Sequence, residues 1–399
     1  MKNLFFLAAA CTLALHAQAQ ETEKADTTEG FKFEVVKSNP ITSVKNQNRS
    51  STCWCFSGLA FLESEVLRTK GIELDLSEMF VVSHTMMDRA SYFVRQYGEG
   101  TSYAPGGNIY DVIYCMENYG LCPQEAMPGI LYGDTLPNHN EVDKVTRAFL
   151  NALTGSGLKK LSPVWKNAFQ SIWDAYIGQR PESFVYEGKE YTPQSFVKYL
   201  GLKEDDYITF TSYTHHPFYK SFAVEVPDNW RMHQAYNLPL DEFMRVIDAA
   251  IDGGYTMAWG ADVSEVGFTR KGIGVMPDAD QGADLTGSDM AKWLGMSETD
   301  RREELTKKPL PEMEITQEMR QKAYDNWETQ DDHGMQIFGI AKDQNGKQYY
   351  MVKNSWGTQK SNYKGIWYVS RSYMAYKTND ITVHKSAVPK DILKKLGIK

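Results

Sequence analysis

A Gln stands six residues ahead of a Cys in Val44-Lys45-Asn46-Gln47-Asn48-Arg49-Ser50-Ser51-Thr52-Cys53-Trp54-Cys55-Phe56-Ser57. Cys53 opens an apolar run, patterned as a helix, that continues to about residue 70. The positive end of a helix macrodipole stabilises thiolate over thiol. A thiolate is a nucleophile, and an amide such as that of Gln47 donates well to a developing oxyanion. Acyl transfer by such a pair also needs a base and a group to orient that base.

Both candidates lie near a hairpin late in the chain. Asp343-Gln344-Asn345-Gly346-Lys347 separates two apolar alternating runs, 335–341 and 349–353. Asn-Gly in that setting signals a tight antiparallel turn. His333 stands just before the first run and Asn354 ends the second, so pairing about the turn brings them within a few positions. His is the usual general base near neutral pH. An Asn side chain orients an imidazole without adding charge. Trp356, in Asn354-Ser355-Trp356-Gly357, would cover that contact from water. Each residue has a plainer reading alone: a Cys-Trp packed at a helix start, a satisfied His beside a strand, an Asn in a turn. Their occurrence together, in this chain order, favours chemistry.

These motifs closely resemble those of the papain family of cysteine peptidases. The resemblance rests on Val44-Lys45-Asn46-Gln47, Cys53-Trp54-Cys55-Phe56-Ser57, Asp332-His333-Gly334 and Lys353-Asn354-Ser355-Trp356-Gly357. It implies an α+β, two-lobed fold, with a helical lobe carrying the Cys and a β-rich lobe carrying His and Asn. It also implies roles. Cys53 is the nucleophile, His333 the base and then the acid, and Asn354 the orienter. Gln47 and the Cys53 N–H form the oxyanion hole. Gly106, Gly107, Trp54 and Trp356 contact substrate, Trp356 on the leaving-group side. No cofactor is implied, and the expected partners are peptide substrates.

The separation of 280 residues between Cys53 and His333 is far longer than a minimal papain-type domain needs. No Cys stands near Ser50 to make the disulfide usual in the secreted endopeptidases. Both departures resemble the bleomycin hydrolase/aminopeptidase C branch, which carries a large insertion, here at about 130–330. Ala104-Pro105-Gly106-Gly107-Asn108 resembles that branch's substrate-binding Gly-Gly loop. Missing side chains there would let a substrate backbone approach. Leu76-Ser77-Glu78-Met79-Phe80, Asn237-Leu238-Pro239-Leu240 and Ala258-Trp259-Gly260-Ala261-Asp262-Val263 resemble further pieces of the branch. The branch implies an aminopeptidase, a homohexamer enclosing its sites, and a C-terminal arm along the cleft. This tail, Asp391-Ile392-Leu393-Lys394-Lys395-Leu396-Gly397-Ile398-Lys399, departs from the branch's usual end and also reads as a short amphipathic helix. An endopeptidase with an open cleft, and a non-catalytic binding protein that keeps the fold, therefore stand as alternatives.

Two other sets draw attention. Asp262 and Glu265 would meet a substrate amine or simply lie on a surface loop. His215-His216-Pro217, read as extended, would point its imidazoles to opposite sides, so no shared metal is expected.

Lys2, the apolar run 4–15 and Ala17-Gln18-Ala19 form a signal-peptide pattern, so residues 1–19 are expected to be removed. The product would be periplasmic or secreted; anchoring at Cys11 as a lipoprotein is the alternative. Processing removes one Lys and no acid, taking the formal charge from −8 to −9, which argues against nucleic acid or an anionic membrane. No other uncharged run approaches the length of a membrane span. Cys53, Cys55, Cys115 and Cys122 are few for an exported chain, and core thiols are expected over a disulfide framework. Residues 20–30 read as a loose leader, 31–399 as the peptidase domain, and 386–399 as its tail. Helices are expected at 53–70, from about 77, and at 109–119, 141–154, 240–252 and 314–328. Strands are expected at 207–210, 255–259 and 365–370. The segments 277–289 and 297–308 read as exposed loops or a lid.

Overall fold

The structure, a computed structural model, describes residues 30–100, 102–278, 295–359 and 361–398. The signal pattern, most of the leader and residues 279–289 of the first expected loop lie outside them.

Apolar side chains at helical spacing gather the first half of the chain into one lobe. α1 (Cys53–Lys70) is buried along most of its length, and α2 (Glu78–Arg95) and α3 (Tyr110–Asn118) pack on it. α4 (Asn140–Thr154), α5 (Trp165–Ile177) and α6 (Pro193–Leu200) complete the helical cluster. Ser77 caps α2 by accepting from the Phe80 N–H at 3.2 Å. The sequence patterns missed α5, whose first turn has no capping side chain, and α6, although Thr192-Pro193 with Ser195 caps it.

The second lobe is a ten-stranded sheet among the described residues. In chain order its strands are β1 (Glu34–Ser38), β4 (Tyr207–Thr211), β5 (Ser221–Ala223), β6 (Gln234–Asn237), β7 (Met257–Ala261), β8 (Ile273–Gly274), β9 (His333–Lys342), β10 (Gln348–Lys353), β11 (Ile366–Ser370) and β12 (Thr378–His384). A separate hairpin joins β2 (Phe184–Tyr186) to β3 (Lys189–Tyr191). The order across the sheet is β5-β6-β4-β12-β7-β9-β10-β11-β8, with β1 also on β9. Strands from the long middle segment are thus part of the main sheet, and β7 lies beside the strand that begins with His333. α7 (Leu240–Asp252) and the helix Gln317–Asp325 pack on this lobe's core. The expected hairpin forms, with a register shift between Met351 and Val352.

Two expectations are corrected, and one of the two readings of the tail is found. Residues 297–308 are not simply loop: Glu298–Glu304 is a helix capped by Ser297, and Leu305 behind it is buried. His215 and His216 occupy a bend, not an extended run, so both rings turn to Glu225, with Nε2 atoms 3.0 and 2.9 Å from its two oxygens. The tail forms the helix Lys390–Leu396, which buries Ile392 against the β lobe and pairs Lys395 with Glu242 of α7.

The two lobes meet where β9 crosses α1. Gln336 of β9 donates through Nε2 to Ala60 O, Ser64 Oγ and Thr256 Oγ1 at 2.7–3.1 Å. A buried ionic network ties the segment before α1 to both lobes. Lys45 Nζ lies 2.9 Å from Glu63, 2.7 Å from Glu78 and 2.5 Å from Asp75. Glu63 also accepts from Thr42 Oγ1, and Lys353 Nζ donates to that hydroxyl at 2.9 Å. Removing one member of a buried ionic set leaves the others uncompensated. Lys45→Met is therefore expected to lower the unfolding free energy by about 3–5 kcal/mol, read from a urea midpoint. An unchanged midpoint would mean that Glu63 and Glu78 are stabilised by something other than Lys45.

Candidate active site

Cys53 is the first residue of α1 and is half-buried. The first amides of a helix have no partner within it, so the Cys53 N–H is available to a ligand. The turn into the helix is sharp: Ser51 has φ +56° and Asn48 φ +47°. Hydrogen bonds from Arg49 N to Pro137 O and from His139 N to Arg49 O brace this loop against the residues before α4.

His333 opens β9 and Asn354 follows β10. His333 Nε2 and Asn354 Oδ1 are 2.8 Å apart, which assigns Nε2–H as donor and leaves Nδ1 as the basic nitrogen. Asn354 Oδ1 also accepts from Ser355 N at 2.7 Å, fixing the amide from both sides. Trp356 lies over the pair, its ring 4.8 Å from the imidazole, and is buttressed edge-on by Phe268 and Trp367.

Gly334 decides how close His333 comes to Cys53. A Cβ at Gly334 would lie 2.6 Å from Ser57 Oγ and 3.3 Å from both Cys53 O and Trp54 Cα. A side chain there would displace Ser57 Oγ and crowd the head of α1, so glycine lets the strand rest closest.

Gln47 is held by its neighbour across the cleft. Its N–H donates to Ser355 O at 2.8 Å, and its Oε1 accepts from Ser355 Oγ at 2.6 Å. That leaves Nε2 as the amide's open donor. Sequence reasoning missed Ser355, Gly334, Lys45 and Gln336. Gly334 and Ser355 were visible only as neighbours of His333 and Asn354, and nothing in their types announced a positioning role.

The Gly-Gly loop is built closely. The Cβ position of Gly106 falls on the Asp228 carboxylate, and that of Gly107 is 2.9 Å from the Trp54 ring and from Asp111 Oδ2. Trp54, read from the sequence as a substrate contact, is 1% exposed and donates through Nε1 to Pro105 O at 3.0 Å. Its indole supports the loop from beneath and presents no surface of its own.

Burial shapes the electrostatics. It pushes the Cys53 thiol up to about 12, with the N–H groups of Gly334 and Trp54 opposing and the charges of Asp228 and Asp331 adding to the rise. Burial also pushes His333 down to about 4, against its hydrogen bond to Asn354. Desolvation thus outweighs the helix-terminal stabilisation of thiolate expected from sequence. Both shifts disfavour net charge on the pair. They also oppose moving the thiol proton to the imidazole, except as the attraction between the resulting thiolate and imidazolium offsets the desolvation of each.

Asp262 and Glu265 are occupied by Lys377, at 3.4 and 2.5 Å. Among the described residues, His215, His216 and Glu225 form the one His/Cys/Asp/Glu group whose ligand atoms lie within 4.8 Å of one another. It shares no residue with the Cys53 site. Cys53, Cys55, Cys115 and Cys122 are all free thiols. A cavity of about 500 Å³ beside Trp356 is lined by Val263, Phe268, Arg270 and Lys271.

A helical lobe presenting a thiol to a β lobe that carries an imidazole–amide pair is the architecture of the papain-like cysteine peptidases. The chain belongs to the Peptidase C1-like family, which it matches over residues 2–281 and 282–398. It is similar to aminopeptidase C of Streptococcus thermophilus, at 24% identity over 92% of this chain and 85% of that protein. It is similar, also at 24% identity, to aminopeptidase C of Lactobacillus delbrueckii subsp. lactis, over 97% of this chain and 88% of that one. Its fold is similar to that of pepw from Lactobacillus rhamnosis, with a TM-score of 0.67, 19% identity, and 90% and 84% of the two chains covered.

Asp380 of β12 carries a measurable cost of this burial. Its carboxyl is raised to about 6 by desolvation, against a hydrogen bond from Asn108. A raised carboxyl costs folding stability above its folded pKa, and that cost vanishes below the unfolded value near 4. Asp380→Asn is expected to stabilise the protein by about 2–3 kcal/mol at pH 8 and hardly at all at pH 4. Thermal unfolding at the two pH values checks this; an equal effect at both would contradict it.

Proposed function

We propose that the protein is an exported cysteine aminopeptidase working through an acyl-enzyme on Cys53. In this reading Cys53 Sγ attacks the carbonyl of a substrate's first peptide bond while His333 Nδ1 takes the thiol proton. The tetrahedral oxyanion accepts hydrogen bonds from Gln47 Nε2 and the Cys53 N–H. His333 then protonates the leaving amine, and the thioester forms as the C–N bond breaks. Water, giving its proton to His333, releases the amino acid and restores the thiol. Asn354 keeps Nδ1 aimed at sulfur throughout, and Trp356 covers that contact on the leaving-group side.

The observation that carries the reading is the 2.8 Å His333–Asn354 contact beside the N-terminus of α1, with Gln47 opened toward the same cleft by Ser355. The similarity to two aminopeptidases C along nearly the whole chain supports exopeptidase action. Export is supported by Lys2, the apolar run 4–15 and Ala17-Gln18-Ala19. The branch resemblance also supports a homohexamer, for which light scattering should give a mass near six copies of the 45.4 kDa chain or its processed form.

One observation favours a second reading. Through Ile398 the tail stays against the β lobe near α7 and does not enter the Gly-Gly cleft. An open cleft would make the enzyme an endopeptidase. Rapid hydrolysis of N-blocked peptides would favour that reading, and a strong preference for free-amine peptides the first.

Cys53→Ala should abolish hydrolysis of aminoacyl amides without lowering the unfolding midpoint, and residual full activity would refute the nucleophile. Because His333 is lowered to about 4, it is neutral and basic above that pH and protonated below it. The acid limb of kcat/KM is therefore expected near pH 4, not near the usual imidazole value of about 6.5. Loss of activity already at pH 6 would contradict it.

A further inference from the structure

The Gly-Gly side of the cleft gathers three carboxyl groups, two of them with a buried oxygen that has no partner. Asp228 comes from the loop after β5, Asp331 stands two residues before His333, and Asp380 lies in β12. The sheet register pairs Asp380 with Gly260 and Gly260 with Gly334, so these three form one row across β12, β7 and β9. Gly334 is the residue that rests on Cys53 and Trp54. Two positions without side chains therefore separate Asp380 from the head of α1.

Asp380 is 4% exposed, and its Oδ1 has no hydrogen-bond partner. That oxygen overhangs Gly260, 2.8 Å from where a Cβ would stand, and so points along the glycine row. Its Oδ2 accepts from Asn108 Nδ2 at 3.1 Å, in the turn just after Gly107. Asp331 Oδ2 is likewise buried without a partner. The Asp228 carboxylate stands over Gly106. Its loop is clamped there by Trp230 Nε1 to Asp111 at 3.2 Å and by Arg231 to Asp111 and Asp88 at 2.6 and 2.7 Å. Arg89, 3.6 Å from Asp228, is the one cation paired with any of the three among the described residues. Its other N–H groups go to the carbonyls of Ser102 and Gly106. Asp228 and Asp331 lie close enough to Cys53 to raise its thiol, and Asp331 feels both other carboxylates.

Buried carboxylate oxygens without donors are costly, and such groups in a native structure call for a ligand or a role. Here one of them stands at the far end of a row of two glycines that meets α1 at Cys53 and Trp54. A primary ammonium has three donors and one positive charge, enough to meet both open oxygens, Asp331 Oδ2 and Asp380 Oδ1, and a third acceptor such as Asp228.

We infer that Asp228, Asp331 and Asp380 form a recognition pocket for a primary ammonium on the acyl side of Cys53, and that this pocket selects substrates by their free N-terminus. The inference rests on the aminopeptidase reading and deepens it. The counter-charge for the substrate amine comes from side chains of the two lobes, and the tail is free to stay near α7. It also accounts for three aspartates kept where burial penalises each of them.

The test compares kcat/KM of the full chain and of Asp228→Asn, Asp331→Asn and Asp380→Asn on four coumarin amides. These are a free aminoacyl amide, its N-acetyl form, a free dipeptidyl amide, and an N-acetyl dipeptidyl amide with Lys second from the scissile bond. The arms separate an α-ammonium one residue away, an α-ammonium two residues away, and a side-chain ammonium. Iodoacetamide alkylation of Cys53 and the unfolding midpoint check that each variant keeps its site.

A hydrogen-bonded charge lost from such a pocket should cut kcat/KM on the preferred cationic substrate about 10- to 100-fold, mainly through KM. The preference over the N-acetyl form should shrink with it, while alkylation is not slowed. Asp228→Asn, at the more exposed end of the cluster, keeps the test decisive if a deeper variant fails to fold. A parent enzyme indifferent to a cationic acyl group would overturn the inference together with the aminopeptidase reading. A parent that prefers free amines, with all folded variants keeping that preference, would overturn the inference alone.

Discussion

The contact of Gly334 with the first turn of α1 governs the rest of the site. It is a steric constraint. A strand backbone lies against the carbonyl of Cys53 and the Cα of Trp54 with no side chain between them. The residue before it in the strand carries the imidazole, so this approach sets the distance between base and thiol. The lobes hold it from both sides. Gln336 ties β9 to α1 from two residues further along, and β7 flanks the same stretch of β9. The hairpin then brings Asn354 to His333, and Trp356, packed on Phe268 and Trp367, roofs the pair.

Gln47 reaches the cleft by a different route. The segment carrying it has little regular structure of its own. It is pinned at Lys45 by the carboxylates of α1 and α2, and at Gln47 by the backbone and hydroxyl of Ser355. One stretch of chain thus bridges the two lobes on the face where a substrate carbonyl would sit. Charged groups bury readily in this arrangement only because each has partners from several elements. The same logic highlights the other end of the cleft, where the aspartates around the glycine row lack such partners.

The local electrostatics follow from how dry the site is. A helix terminus stabilises negative charge by a modest amount that falls off within a turn. Removing a thiolate from water costs more, and two nearby aspartates add to that cost. Burial therefore favours the neutral forms of both Cys53 and His333 in this desolvated cleft.

Much of the chemistry was legible in order and type. Gln47, Cys53, His333 and Asn354 could be named because helix-start, hairpin and turn signals are local, and because short-range pairing about Asn345-Gly346 obliges His333 and Asn354 to meet. Ser355, Gly334 and Lys45 were not legible as positioning residues, since their roles exist only across lobes. Residues 297–304 looked like loop because a short polar helix has no apolar period, and His215-His216 looked extended because a bend leaves little mark in a His-His-Pro sequence. The sequence by itself determined which residues with nucleophilic or acid–base side chains stand at the helix start and about the hairpin: those are properties of residue type and of nearest neighbours along the chain. Only the tertiary structure decided how closely β9 rests on α1, where the tail docks, and that Asp228, Asp331 and Asp380 lie near enough to feel one another. Those depend on packing between segments more than a hundred residues apart, and no local pattern encodes such a distance.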